Sequence, residues 1–175
     1  MDNERREYFR VTTNAFVAVA LIDQEHNSIP EYFPKISQFT LHQQLEDMNN
    51  ECYEQLNLLK DKVAHKILNF QNQKIDIVLK LVQQKAIEEA NLVTQSIEIG
   101  EGGLSFDLTG EYPLNSNLAV MVIFTPTYKV VYSQGKLIDK SGDNRSHIQF
   151  EQLPEVQRQK LVKHLMREQT VNRPS

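Results

Sequence analysis

Glycine is missing from the first 99 residues of this 175-residue chain. All six glycines (Gly100, Gly102, Gly103, Gly110, Gly135 and Gly142) fall between positions 100 and 142. Glycine serves tight turns and bulges and weakens helix interiors, so this asymmetry predicts a helical block followed by a β-rich block. Cysteine is nearly absent too. The single thiol, Cys52, excludes an intramolecular disulfide framework and any multi-cysteine zinc site. The longest apolar runs, Ala15–Ile22 and Leu118–Phe124, are far shorter than the roughly 20 residues that cross a bilayer. The charged opening MDNERREYFR is unlike a secretory signal. There is no basic excess, because 23 acidic against 19 basic side chains leave a net charge of -4. Bulk electrostatics therefore argue against duplex nucleic acid as a partner. These absences point to a cytoplasmic protein with no membrane span. Its 40% hydrophobic content suffices for one cored domain, or a small domain plus an appendage.

The β signals are short and regularly punctuated. Ala15–Ile22 reads as a strand that ends in the turn-prone Asp23–Ser28. Leu92–Ile99, Gly103–Leu108, Leu118–Phe124, Lys129–Ile138 and Ser146–Phe150 follow, separated by segments carrying Gly, Pro, Asn, Asp or Ser. Six such strands predict a small barrel or sandwich. Pro154–Gln169 reads as a closing helix, with proline in its first turn and Val156, Leu161, Val162 and Leu165 forming an apolar stripe.

A long helical block separates the first two strands. From Leu41 the apolar residues run Leu41, Leu45, Met48, Cys52, Leu56, Leu59, Val63, Ile67 and Phe70, a pattern that repeats every eleven residues. That period is close to a straight helix, with a slight tendency to right-handed supercoiling. No proline occurs from Lys35 to Tyr112 to force a break. One helix from about Thr40 to about Ala90 would be about 75 Å long, more stripe than a small barrel can cover. Either the block folds back near Asn69–Gln73, or its apolar face meets another chain. The stripe is long and its opposite side polar, which favours self-association through residues 41–90, with Leu45, Met48, Leu56, Leu59, Val63, Ile67 and Phe70 as the contacts.

Catalytic patterns are scarce. His26, His42, His65, His147 and His164 are dispersed, and no pair has metal-ligand spacing. No nucleophile elbow, Walker loop or dinucleotide fingerprint occurs, and Cys52 lies within the helical stripe. The reading is of a non-enzyme without catalytic or metal-binding residues. Arginine is more informative. Three of the seven arginines, Arg5, Arg6 and Arg10, sit in the first ten residues. Guanidinium groups bond phosphate bidentately and stack on bases, so Arg6 and Arg10 on a short arm could clamp an anionic nucleotide.

The stretch Arg5-Arg6-Glu7-Tyr8-Phe9-Arg10-Val11 resembles the opening of PilZ domains, whose arm carries Arg-x-x-x-Arg just before the barrel. That family's second motif, Asp/Asn-x-Ser-x-x-Gly, is matched by Glu98-Ile99-Gly100-Glu101-Gly102-Gly103, followed by Leu104-Ser105-Phe106. The resemblance spans residues 4–22 and 92–170. It implies an α+β fold, a six-stranded antiparallel PilZ-like β-barrel with a long coiled-coil-like helical insertion and a C-terminal helix. The barrel would comprise 1–22 and 92–175, and the insertion 23–91.

The resemblance also implies a ligand, the bacterial second messenger cyclic di-GMP. Arg6 and Arg10 would meet its phosphates and guanines, Arg5 would add charge at the rim, and Glu98, Gly100 and Gly103 would receive a guanine edge. Two of these positions depart from the family. Glu98 is one methylene longer than Asp, and Gly100 lacks the serine hydroxyl. One lost hydrogen bond is worth roughly 0.5–1.5 kcal/mol, about three- to tenfold in affinity. The implied role is a regulator of motility, type IV pili or surface-attached biofilm growth that signals through an unidentified protein partner. The alternative is a degenerate adaptor that binds no nucleotide and acts as an oligomeric scaffold. A weaker third reading gives the basic C-terminal helix, with Arg158, Lys160, Lys163 and Arg167, a nucleic-acid role.

Overall fold

A computed structural model describes residues 9–36, 38–140 and 145–171. Six strands form a closed antiparallel barrel: β1 (Arg10–Leu21), β2 (Thr94–Gly100), β3 (Gly103–Asp107), β4 (Asn117–Phe124), β5 (Val130–Lys140) and β6 (Arg145–Gln152). Around the barrel the order is β1-β2-β3-β6-β5-β4, so β1 pairs with β2 on one edge and with β4 on the other. Every strand thereby finds two partners and no edge remains open. The six-stranded α+β architecture is the one expected from the sequence.

β1 is longer than the sequence reading. Its first half, Arg10 to Phe16, pairs with β2, and its second half, Ala15 to Leu21, pairs with β4. Over Arg10–Ala15 exposure alternates strictly, with Val11, Thr13 and Ala15 buried and Arg10, Thr12 and Asn14 exposed, the period-2 pattern of a half-buried strand. Arg10 is thus the first residue of a strand and not part of an arm.

The barrel interior is aliphatic and aromatic. Ile97, Ile99, Leu118, Phe124 and Leu137 are fully buried, and Leu104, Phe106 and Ile148 nearly so. The last helix, α3 (Glu155–Val171), adds Leu161 and Leu165 to this core. His164 lies on the same face of α3 and stacks on Phe124 with ring centroids 3.8 Å apart. After β1, Asp23 pairs with His26 at 2.9 Å and accepts a hydrogen bond from the Tyr32 hydroxyl, which closes the connection on itself.

The chain divides into two compact units, one holding all six strands and α3, the other spanning Phe33–Leu92. In the second unit the helical block folds back as two helices, α1 (Gln38–Leu56) and α2 (Lys62–Glu89), packed against each other. The fold-back falls at 57–61, not at Asn69–Gln73. Asp61 explains the restart: its carboxylate accepts hydrogen bonds from the backbone N–H groups of Val63 and Ala64, an N-cap that satisfies two otherwise orphaned donors.

The inside of the hairpin mixes amides with hydrocarbon. Asp76 of α2 accepts hydrogen bonds from the Asn49 side-chain amide and, at 2.9 Å, from the Tyr53 hydroxyl, both on α1. Burial and the adjacent Asp76 carboxylate raise the Tyr53 pKa above its ordinary value. Asn72, Leu79, Gln83, Ala86 and Ile87 are the buried residues of α2. Most of the apolar stripe read from the sequence faces outward instead: Met48, Val63, Ile67, Phe70, Val78 and Leu81 are all more than half exposed. Leu45 and Leu59 are exposed as well, at 39% and 40%. Leu56 departs from the expected contact list. At 7% exposure it is buried at the end of α1, so it is unavailable to another chain.

Candidate functional site

Register decides which residues share the outer face of the barrel. Arg10 lies opposite Gly100 on β2, Gly100 opposite Gly103 on β3, and Gly103 opposite Gln149 on β6. The neighbouring row runs Thr12, Glu98, Ser105, His147 and Asp139 across β1, β2, β3, β6 and β5. Directly paired residues point to the same side of a sheet. Because Ile97, Ile99, Leu104 and Phe106 fill the interior, both rows face outward.

The two glycines have different reasons to be there. A Cβ on Gly100 would lie 2.5 Å from the Phe9 carbonyl oxygen and 3.0 Å from Cγ of Arg10. Its bare Cα is what allows the start of β1, and the aliphatic stem of Arg10, to lie close over the end of β2. Gly103 has a φ of +153°, which L side chains rarely adopt, and a Cβ there would run into the carbonyl of Ile148. Paired directly, they leave a floor without side chains next to Arg10, with Glu98 two residues earlier on β2.

Arg10 is exposed and makes no ion pair with the described residues. Glu98 is half-buried beside Thr12 and Ser105. Ser105 is 1% exposed and its hydroxyl has no hydrogen-bond partner among the described residues. The barrel therefore brings together Arg10, Glu98, Gly100 and Gly103 of the sequence-derived set. Arg5 and Arg6 lie outside the described residues. Sequence reading missed Thr12, Ser105, His147 and Gln149. Thr12 and Ser105 follow from period-2 alternation after Arg10 and Gly103, whereas His147 and Gln149 come only through the β3–β6 register. Chemically the face offers a guanidinium donor, a carboxylate acceptor and a side-chain-free floor. The guanidinium can donate to an anion, and the carboxylate can accept from N–H or O–H groups. Among the described residues no cluster of His, Cys, Asp and Glu could hold a metal ion, and no helix is long and apolar enough to cross a membrane.

No family model matches the chain, and no curated protein matches it. Solved structures do. One is a Xanthomonas campestris protein described as a new tetrameric PilZ domain self-assembled via an unusual helical bundle. It is 11% identical, with a TM-score of 0.60, over 97% of this chain and 91% of that one. Another is the Bacillus subtilis inhibitor of motility MotI/DgrA, 9% identical with a TM-score of 0.50, over 98% of this chain. This chain spans about half of that protein, 54% of its length. At such identities the likeness is one of fold. The chain is a PilZ-like six-stranded barrel with a helical hairpin inserted between its first two strands.

Proposed function

We propose that this protein is a PilZ-type regulator that binds cyclic di-GMP on the face built from Arg10, Glu98, Gly100 and Gly103, with Arg5 and Arg6 completing the grip. The observation that carries this reading is the placement of Arg10 across the ladder from Gly100. It joins the two halves of the motif, 90 residues apart in sequence, in one patch. Phosphates would take bidentate bonds from the guanidinium groups, and Glu98 would accept from guanine N–H groups. Contacts of Arg5 and Arg6 with the nucleotide, beside Arg10 in β1, would alter the surface offered to a protein partner in the bacterial cytoplasm. Motility or pilus function is the process we assign, in keeping with the fold shared with an inhibitor of motility.

Calorimetry with purified protein tests this. Cyclic di-GMP should bind with an affinity of tens of micromolar or better, and Arg6→Ala and Arg10→Ala should each abolish the heat while leaving the circular dichroism spectrum unchanged. Absence of heat with the unaltered chain would leave the adaptor reading.

Self-association through the helical hairpin belongs to either reading. Its support is the outward stripe of Met48, Val63, Ile67, Phe70, Val78 and Leu81, too much contiguous hydrocarbon for an isolated helix pair. The Xanthomonas campestris protein of the same fold assembles by a helical bundle, and we assign the same mode to this chain. A monomer in sedimentation at micromolar concentration would refute it.

A further inference from the structure

A second concave site lies on the barrel, away from the glycine floor. Its walls are Thr12, Thr13 and Asn14 of β1, Thr125 and Pro126 of the β4–β5 turn, and Arg167 and Glu168 of α3, around a cavity of about 510 Å3. That volume suits a small molecule. The cleft opens where the β1–β4 seam ends: β4 pairing starts at Ala15, and the Asn14 carbonyl is taken instead by the backbone N–H and hydroxyl of Thr125. Peptide groups alternate in direction along a strand, so Thr12 turns its own N–H and C=O toward this same opening.

The lining is unusual in carrying three hydroxyls, one amide, one guanidinium and one carboxylate, with Pro126 as the lone apolar side chain. Arg167 is exposed and has no ion-pair partner among the described residues. Behind the wall, His164 places Nε2 3.4 Å from the Thr13 hydroxyl. Its pKa is lowered to about 4, first by burial and then by the positive charges of Arg167 and Lys129. The ring is therefore neutral near pH 7, with the positive charges of Arg167 and Lys129 beside it.

We propose that this cleft binds a small phosphorylated polyhydroxy compound, a sugar phosphate in chemical class, with Arg167 holding the phosphate. The Thr12 and Thr125 hydroxyls, the Asn14 amide and the Glu168 carboxylate pair with ligand hydroxyls. The walls mix polar groups with the hydrocarbon of threonine methyls and side-chain stems, as a sugar ring requires, and a bare anion would leave Asn14 and Glu168 unused. The site lies beside the proposed nucleotide face. The two adjoin along strand β1 and share Thr12, while Asn14 lies four residues, on the order of 13 Å, from Arg10.

The test is a titration of the isotopically labelled full chain, followed by amide NMR, with ribose 5-phosphate, ribose and inorganic phosphate as probes. Ribose 5-phosphate should bind roughly tenfold or more tightly than either fragment, with shifts centred on Thr12–Asn14, Thr125 and Arg167. Arg167→Gln, a surface change, should weaken it by roughly tenfold or more, and Arg167→Lys by less, because lysine keeps the charge and loses the fork. Arg10→Ala should leave this binding intact, which separates it from any failure at the nucleotide face. Equal affinity for ribose 5-phosphate and inorganic phosphate would overturn the assignment. So would shifts centred on Arg10 and Gly100 that persist in Arg167→Gln.

Discussion

Arg10 and Gly100 stand opposite each other on β1 and β2, and the missing side chain of Gly100 is the space into which the Arg10 stem and the Phe9 carbonyl pack. The departure from the family motif at this position is therefore tied to packing. A hydroxyl cannot be added without moving the residue that is meant to grip the ligand.

Gly100→Ser should accordingly destabilise the protein by about 1–3 kcal/mol, the range for overpacking a tight contact, although it restores the family's residue. Urea denaturation would show a lower midpoint. An unchanged midpoint together with tighter cyclic di-GMP binding would mean that β1 shifts freely and that packing does not fix this position.

His164 gives the fold a pH dependence of definite sign. Its folded-state value of about 4 lies below the ordinary 6.5, so between these values the unfolded chain holds more protons than the folded one. Stability contributed by the neutral ring is complete above about pH 6.5 and is lost as pH falls toward 4. The loss should be about 1–2 kcal/mol after allowance for solvent screening of the nearby cations. Urea midpoints at pH 5 and pH 7.5 should differ in that direction, and His164→Phe should flatten the difference.

Lysine at both Val63 and Phe70, 69% and 51% exposed, should disperse the assembly in sedimentation velocity without loss of helical signal. Leu56→Lys should behave differently. Leu56 is buried, so a charge there should unfold the hairpin, and circular dichroism should report lost helix.

Asp76 holds two donors from α1. Asp76→Ala should leave Asn49 and Tyr53 without that acceptor and lower stability by about 1–3 kcal/mol, seen as an earlier thermal transition. Asp76→Asn should recover part of the loss, because its side-chain carbonyl still accepts one of the two bonds.

The barrel was legible because its cues are local: the apolar run Ala15–Ile22, glycine at 100 and 103, and turn residues between strands. The ends of β1 were harder. Arg10 to Asn14 carries four polar side chains in five residues, and only pairing with β2 keeps them in a strand. The helical block misled in an instructive way. Its eleven-residue repeat continues through Leu56, Leu59 and Val63, and apolar spacing alone cannot register a chain reversal. Asp61 was the available signal, an N-cap residue in the middle of the pattern. The hairpin's own core takes little of that stripe: Leu56 is buried, but the inner seam is otherwise made by Asn49, Asn72, Asp76 and Gln83 together with Leu79, Ala86 and Ile87, which lie outside the repeat. Of the candidate ligand face, the motif positions were visible, whereas His147 and Gln149 reach it only through β3–β6 register.

A helix pair that shelters amides and presents hydrocarbon to water gains little by folding alone. Most of its apolar burial has to come from neighbours, so mass action enters its stability directly. Diluting the protein should lower the melting temperature of the helical signal while the barrel's transition stays in place. The gap between those two curves would then serve as a gauge of how strongly the subunits hold one another.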